Sequence, residues 1–179
     1  MNQRQLETLQ KNNKESRDFA KSCFRIGLML LLKDRPDHPI TITRLCKIAG
    51  VSRTAFYRNY QTVDDVLIDE IREFAMTLAG RIGTDVYNNW LALFKLAEEQ
   101  INNLEAIIYA GYEHKILEVF LSLLPESEDN RTIQTIWLSL FYSLLVKWIK
   151  ERKPKKPEEM ARLAYKYTQD IPLVDLGSE

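Results

Sequence analysis

The stretch AGVSRTAFYRNY, Ala49–Tyr60, holds a helix breaker, a cap and a short amphipathic segment in immediate succession. Glycine most easily takes the left-handed backbone conformation that ends one helix and turns the chain into another, so Gly50 marks a turn. Ser52 can cap the next helix, its hydroxyl accepting from the orphan amides at a start near Arg53. On that helix Phe56 and Tyr60 fall on one face with Val51 beside them, while Arg53, Thr54, Tyr57 and Arg58 fall on the other. Upstream, Ile42, Leu45, Cys46 and Ala49 recur at helical spacing behind a candidate cap at Thr41. Two short helices therefore meet at Gly50, and the second offers donors on its outer face. Downstream, Thr62 with Asp64 and Asp65 reads as the start of a third helix, its acids at the positive end of the dipole.

Thr41–Leu67 resembles the DNA-binding segment of the TetR family of bacterial transcription regulators, residue by residue at Ala49, Gly50, Val51, Ser52, Phe56, Tyr57 and Tyr60. It departs from the family pattern at Val63, where a lysine is usual, which removes one expected phosphate contact. The resemblance implies an all-α chain of about nine helices, with a helix-turn-helix head and a helical body that dimerises and often holds a small effector. On this reading residues 1–62 are the DNA-binding domain and 63–179 the dimerisation and effector domain. Arg53 and Arg58 would donate to guanine edges or phosphate and Thr54 would meet a base, while Tyr57 is placed on a phosphate by the resemblance. Lys21, Thr41, Thr43, Arg44, Ser52 and Asn59 complete the candidate DNA-binding set.

Composition agrees with a nucleic-acid partner for the head alone. The 179 residues carry no net charge, yet residues 1–63 hold twelve Lys/Arg against five Asp/Glu and the remainder thirteen against twenty. A basic head on an acidic body points only the head at a polyanion. Two cysteines are too few for a disulfide framework, and a polar N-terminus without an apolar core gives no export signal, so a reducing cytoplasm is expected. The most apolar run, Ile133–Ile149, is interrupted by Gln134, Ser139, Ser143 and Lys147 and is read as a core helix, with no membrane partner.

Along the chain, residues 1–13 are expected to be frayed or weakly helical. A first helix over Lys14–Lys33 carries a core stripe of Phe19, Phe24, Leu28 and Leu31, with Lys14, Arg17, Lys21 and Arg25 on a polar side. Pro36 and Pro39 end it, and His38 is a loop histidine. From Val63 a helix runs to about Gly80–Gly83, expected to touch head and body. Further helices are read at Asp85–Gln100, Asn102–Ala110, Glu113–Leu124, Arg131–Arg152 and Glu158–Gln169, the last with Met160, Leu163, Ala164 and Tyr167 inward. The long helix has more apolar surface than one stripe requires, which predicts a two-fold homodimer through Arg131–Arg152 and Glu158–Gln169.

No nucleotide cradle, catalytic triad or metal-ligand spacing occurs, so neither enzyme activity nor a cofactor is expected. Trp90, Phe94, Tyr109, Tyr112, Trp137 and Phe141 are candidate lining for a small-molecule effector, although aromatics at helical spacing are also ordinary core filling. Two functions stay open. One is a regulator, read as a repressor, that binds an inverted-repeat operator and is released by an effector. The other is a TetR-like interaction module whose body binds a protein in place of a small molecule.

Overall fold

The computed structural model describes residues 3–34, 39–124, 130–152 and 155–173, with side chains from residue 10 onward. Among these residues the protein is all-α: α1 (Gln3–Lys33), α2 (Ile42–Ala49), α3 (Arg53–Asn59), α4 (Val63–Ala79), α5 (Val86–Glu99), α6 (Ile101–Tyr109), α7 (Glu113–Ser122), α8 (Arg131–Lys150) and α9 (Pro157–Thr168). The chain divides into two compact units, Met1–Glu70 and Ile71–Glu179, so α4 contributes its first half to one and its second half to the other.

In the first unit, Phe24, Leu28 and Leu31 of α1 are buried with Leu45 of α2, Phe56 of α3 and Val66 and Leu67 of α4. The rings of Phe24 and Phe56 meet edge to face at 5.3 Å, and Tyr60 lies 5.9 Å from Phe56 and 6.1 Å from Phe24. Close approach of α1 and α2 depends on Gly27, where an added Cβ would sit 3.2 Å from the Cβ and backbone nitrogen of Ala49. Helix α1 begins at Gln3, ahead of the expected Lys14, so residues 3–13 are helical, one of the two outcomes expected for them. One expectation is corrected: Phe19 is 71% exposed where a core position was expected. Helical periodicity groups Phe19 with an apolar face, but that face is one the unit leaves uncovered. Pro36 and His38 lie outside the described residues.

The second unit is built on an aromatic centre. Trp90 packs on Phe141 at 4.6 Å, on Trp137 at 6.0 Å and on Phe94 at 6.2 Å, and Phe94 meets Trp148 at 5.4 Å. Each indole N–H has a protein acceptor: Trp90 donates to the Thr168 hydroxyl, Trp137 to the Pro172 carbonyl and Trp148 to the Lys155 carbonyl, at 2.8, 2.8 and 2.9 Å. Helix α8 is the one described helix long and apolar enough to cross a membrane, but Trp137, Phe141, Leu145, Trp148 and Ile149 are buried within the unit. On α9, Met160 and Ala164 are buried as the sequence predicts, whereas Leu163 and Tyr167 are exposed. The correction has a simple cause: Ala161 and Thr168 share the buried face with Met160 and Ala164, which turns Leu163 and Tyr167 outward.

Substituting Gly27→Val should force α1 and α2 apart and destabilise the first unit by about 1–3 kcal/mol, the usual cost of overpacking. Chemical denaturation followed by circular dichroism checks this, and a midpoint unchanged from wild type would contradict it.

Candidate nucleic-acid interface

Helices α2 and α3 are defined by local caps. The Thr41 hydroxyl accepts from the Arg44 amide at 3.2 Å, Gly50 closes α2 with φ 66°, and the Ser52 hydroxyl accepts from the Ala55 amide at 3.1 Å. Helix α4 opens on a reciprocal box, in which the Asp65 amide donates to the Thr62 hydroxyl and Asp65 Oδ2 accepts from the amides of Gln61 and Thr62. Burial disfavours the charge on Asp65, but those amides hold its carboxyl below the ordinary range.

The geometry of α3 separates packing from display. Phe56 and Tyr60 are buried, while Arg53, Thr54, Tyr57 and Arg58 are exposed. The Tyr57 ring stands edge to face against Phe56 at 5.6 Å, which orients an otherwise exposed phenol. Thr43 and Arg44 are exposed on α2, and Thr41 and Ser52 keep hydroxyl protons to give while accepting from their cap amides. Asn59 Nδ2 donates to the Ala55 carbonyl at 2.7 Å, which ties its side chain to the helix. The structure thus brings Arg53, Thr54, Tyr57 and Arg58 onto one open face and gives Thr41, Ser52 and Asn59 structural bonds.

Lys21, an expected phosphate contact, has a partner within the first unit. Its ammonium is 3.2 Å from Asp69 Oδ1 and lies over the Tyr60 ring at 5.5 Å. Asp69 is the residue that sequence reasoning missed. Its Oδ2 accepts from the Tyr60 hydroxyl at 2.6 Å and from Arg25 at 3.3 Å, and Arg25 also reaches Glu70 at 3.4 Å. Burial alone would raise the Asp69 carboxyl; the Tyr60 hydrogen bond, followed by Lys21 and Arg25, carries it below the ordinary range. Burial and the same hydrogen bond push the Tyr60 phenol up, so it stays protonated and donates. Through this carboxylate the C-terminal end of α3 is tied to α1 and α4.

The aromatic set in the second unit divides likewise. Trp90, Phe94, Trp137 and Phe141 are buried against one another, Tyr109 donates to the Ile149 carbonyl at 3.2 Å, and Tyr112 is half-buried. An apolar cleft of about 100 Å³ lies instead among Ala75, Leu78, Ala79, Ile82, Phe120, Leu123, Leu124, Leu138 and Phe141. Of the six expected lining residues, Phe141 alone borders it. No group of acidic, histidine and cysteine side chains suited to a metal occurs among the described residues.

Removing the hydroxyl with Tyr60→Phe keeps the ring packing but deletes a bond to a charged acceptor, and should cost about 1.5–3 kcal/mol of first-unit stability. Because the folded carboxyl is depressed, the stabilisation from Asp69 is present above about pH 4, its unfolded value, and lost as pH falls through the lower folded one. Asp69→Asn should therefore lower stability at neutral pH and flatten the acid limb of the stability curve, as read by urea titrations across pH; an acid limb identical to wild type would contradict it.

No protein-family model matches the chain, and a search of curated proteins finds no match either.

Proposed function

We propose that the chain is a sequence-specific DNA-binding transcriptional regulator of the TetR type, a cytoplasmic repressor that binds an inverted-repeat operator as a homodimer. The observation that carries this reading is the exposed row Arg53, Thr54, Tyr57 and Arg58 on a helix whose other face is packed by Phe56 and Tyr60. A short helix held this way can enter a major groove, with arginines donating to guanine or phosphate and the threonine meeting a base edge. The basic balance of residues 1–63 supplies the sequence-independent attraction. In this reading Val63 stands where TetR regulators usually have a phosphate-facing lysine, so the remaining contacts carry the affinity.

The homodimer is supported by apolar surface left open on the body. Ile136 of α8 and Leu163 and Tyr167 of α9 are exposed, and Ile133, Leu140 and Leu144 of α8 are only half-buried. An isologous contact through these faces would relate two α3 helices by a two-fold axis, which is what an inverted repeat requires. For release by a small molecule, the supporting feature is the apolar cleft beside Phe120 and Leu138, which at about 100 Å³ must widen to take a ligand of ordinary size. That small volume, together with the filled aromatic centre, favours the second reading, in which the body binds a protein partner instead.

Fragments selected from random DNA by the purified protein supply the operator for titration at several salt concentrations. Tyr57→Ala should weaken binding to all sequences alike, whereas Arg53→Ala or Thr54→Ala should cost about 1–3 kcal/mol and relax preference at one position. Unchanged binding in the Tyr57→Ala, Arg53→Ala double variant would overturn the DNA reading. For the homodimer, Leu144→Asp places an unpaired charge in the seam and should yield monomers in dilute solution. A wild type that sediments as a monomer would remove that part of the proposal.

A further inference from the structure

Helix α1 has two apolar faces, and the first unit covers only one of them. Phe24, Leu28 and Leu31 point inward, but Phe19, Ile26 and Leu30 are 71%, 60% and 52% exposed, and Cys23 between them is half-exposed. Phe19, Cys23, Ile26 and Leu30 are separated by four, three and four residues, with Lys33 three further on. This alternation is the seam pattern of paired helices, in which apolar residues recur every 3.5 positions on average. At 100° per residue the seam lies roughly 130° around α1 from Phe24, the ring that packs on α3. It is therefore turned away from the face of α1 that supports the α3 helix.

We propose that this seam binds the same seam of a second copy of the chain, α1 against α1 in antiparallel orientation. The charges at its ends select the occupant and the direction. In the antiparallel register Phe19 packs on Leu30 of the second copy and Cys23 on its Ile26, with the same pairs repeated by symmetry. Lys33 then lies beside Ser16 and reaches Glu15 of the second copy, a residue whose own partner is an exposed Lys11 at 4.0 Å. Two such opposite-charge pairs close the seam. A parallel arrangement would instead set Lys33 against Lys33. The contact surface is small beside a standard interface of about 1,200–2,000 Å², so association is of the weak, concentration-dependent class. In a chain that also pairs through α8 and α9, it joins dimers into a four-chain species, and it does so whether or not the protein binds DNA.

Sedimentation of the full chain over a concentration series tests this. The wild type should show a mass that rises with concentration, Ile26→Lys should abolish the rise, and Lys33→Glu should weaken it. The double variant Glu15→Lys, Lys33→Glu should restore it. Positions 15, 26 and 33 are exposed, and unchanged thermal midpoints confirm that the variants fold. Leu144→Asp run in parallel separates the two contacts: loss of the α8 and α9 pairing lowers the mass throughout but leaves the Ile26-sensitive rise. No rise in the wild type, the same rise in Ile26→Lys, or no restoration in the charge-swapped variant overturns the proposal.

Discussion

The Asp69 carboxylate ties three helices of the head together. It takes the Tyr60 hydroxyl from the end of α3 and the Lys21 and Arg25 cations from α1, while sitting on α4 itself. A carboxylate withdrawn from water needs its lone pairs satisfied, so these three helices cannot shift independently without leaving charge uncompensated. The constraint matters most for α3. At seven residues it is too short to persist alone, because nucleating a helix costs more than so few bonds return. It is held by Ser52 at one end, Tyr60 at the other and Phe56 between them. Its outward residues, Arg53, Thr54, Tyr57 and Arg58, can then be polar and exposed.

Much of the head was legible because its determinants are local. Thr41, Ser52 and Thr62 accept from amides three positions on, and the Gly50 amide donates to the Cys46 carbonyl, so residue type and spacing suffice to place them. The Asp69 cluster was not legible, since Lys21 lies 48 residues away and nothing in the local sequence distinguishes a lysine that faces solvent from one that faces a distant carboxylate. Lys21 read as a surface cation for that reason. Phe19, Leu163 and Tyr167 show a related limit. Periodicity tells which residues share a face, but which face is covered depends on the elements packed against it.

The aromatic body shows the same division. Trp90, Phe94, Trp137 and Phe141 were recognisable as a group, but filling a core and lining a pocket require the same residue types at the same spacing. The difference lies in the remote acceptors of the indole N–H groups: Thr168, Pro172 and Lys155 come from α9 and from the segments on either side of it. Once those bonds are made the rings have fixed orientations and stack into one another, and the open volume moves to the cleft beside Phe120.

The placement of the tryptophans has a spectroscopic consequence. All three tryptophans of the chain, Trp90, Trp137 and Trp148, are buried in the second unit, and the first has none. Indole emission shifts when water reaches the ring, so tryptophan fluorescence, excited selectively over tyrosine, is a private signal of the body. Circular dichroism at the peptide band, by contrast, sums the helices of both units. The two traces recorded on one unfolding experiment coincide only if head and body melt together, because coincidence of independent probes is the mark of a single cooperative transition. Any gap between them isolates the stability of the head without a label.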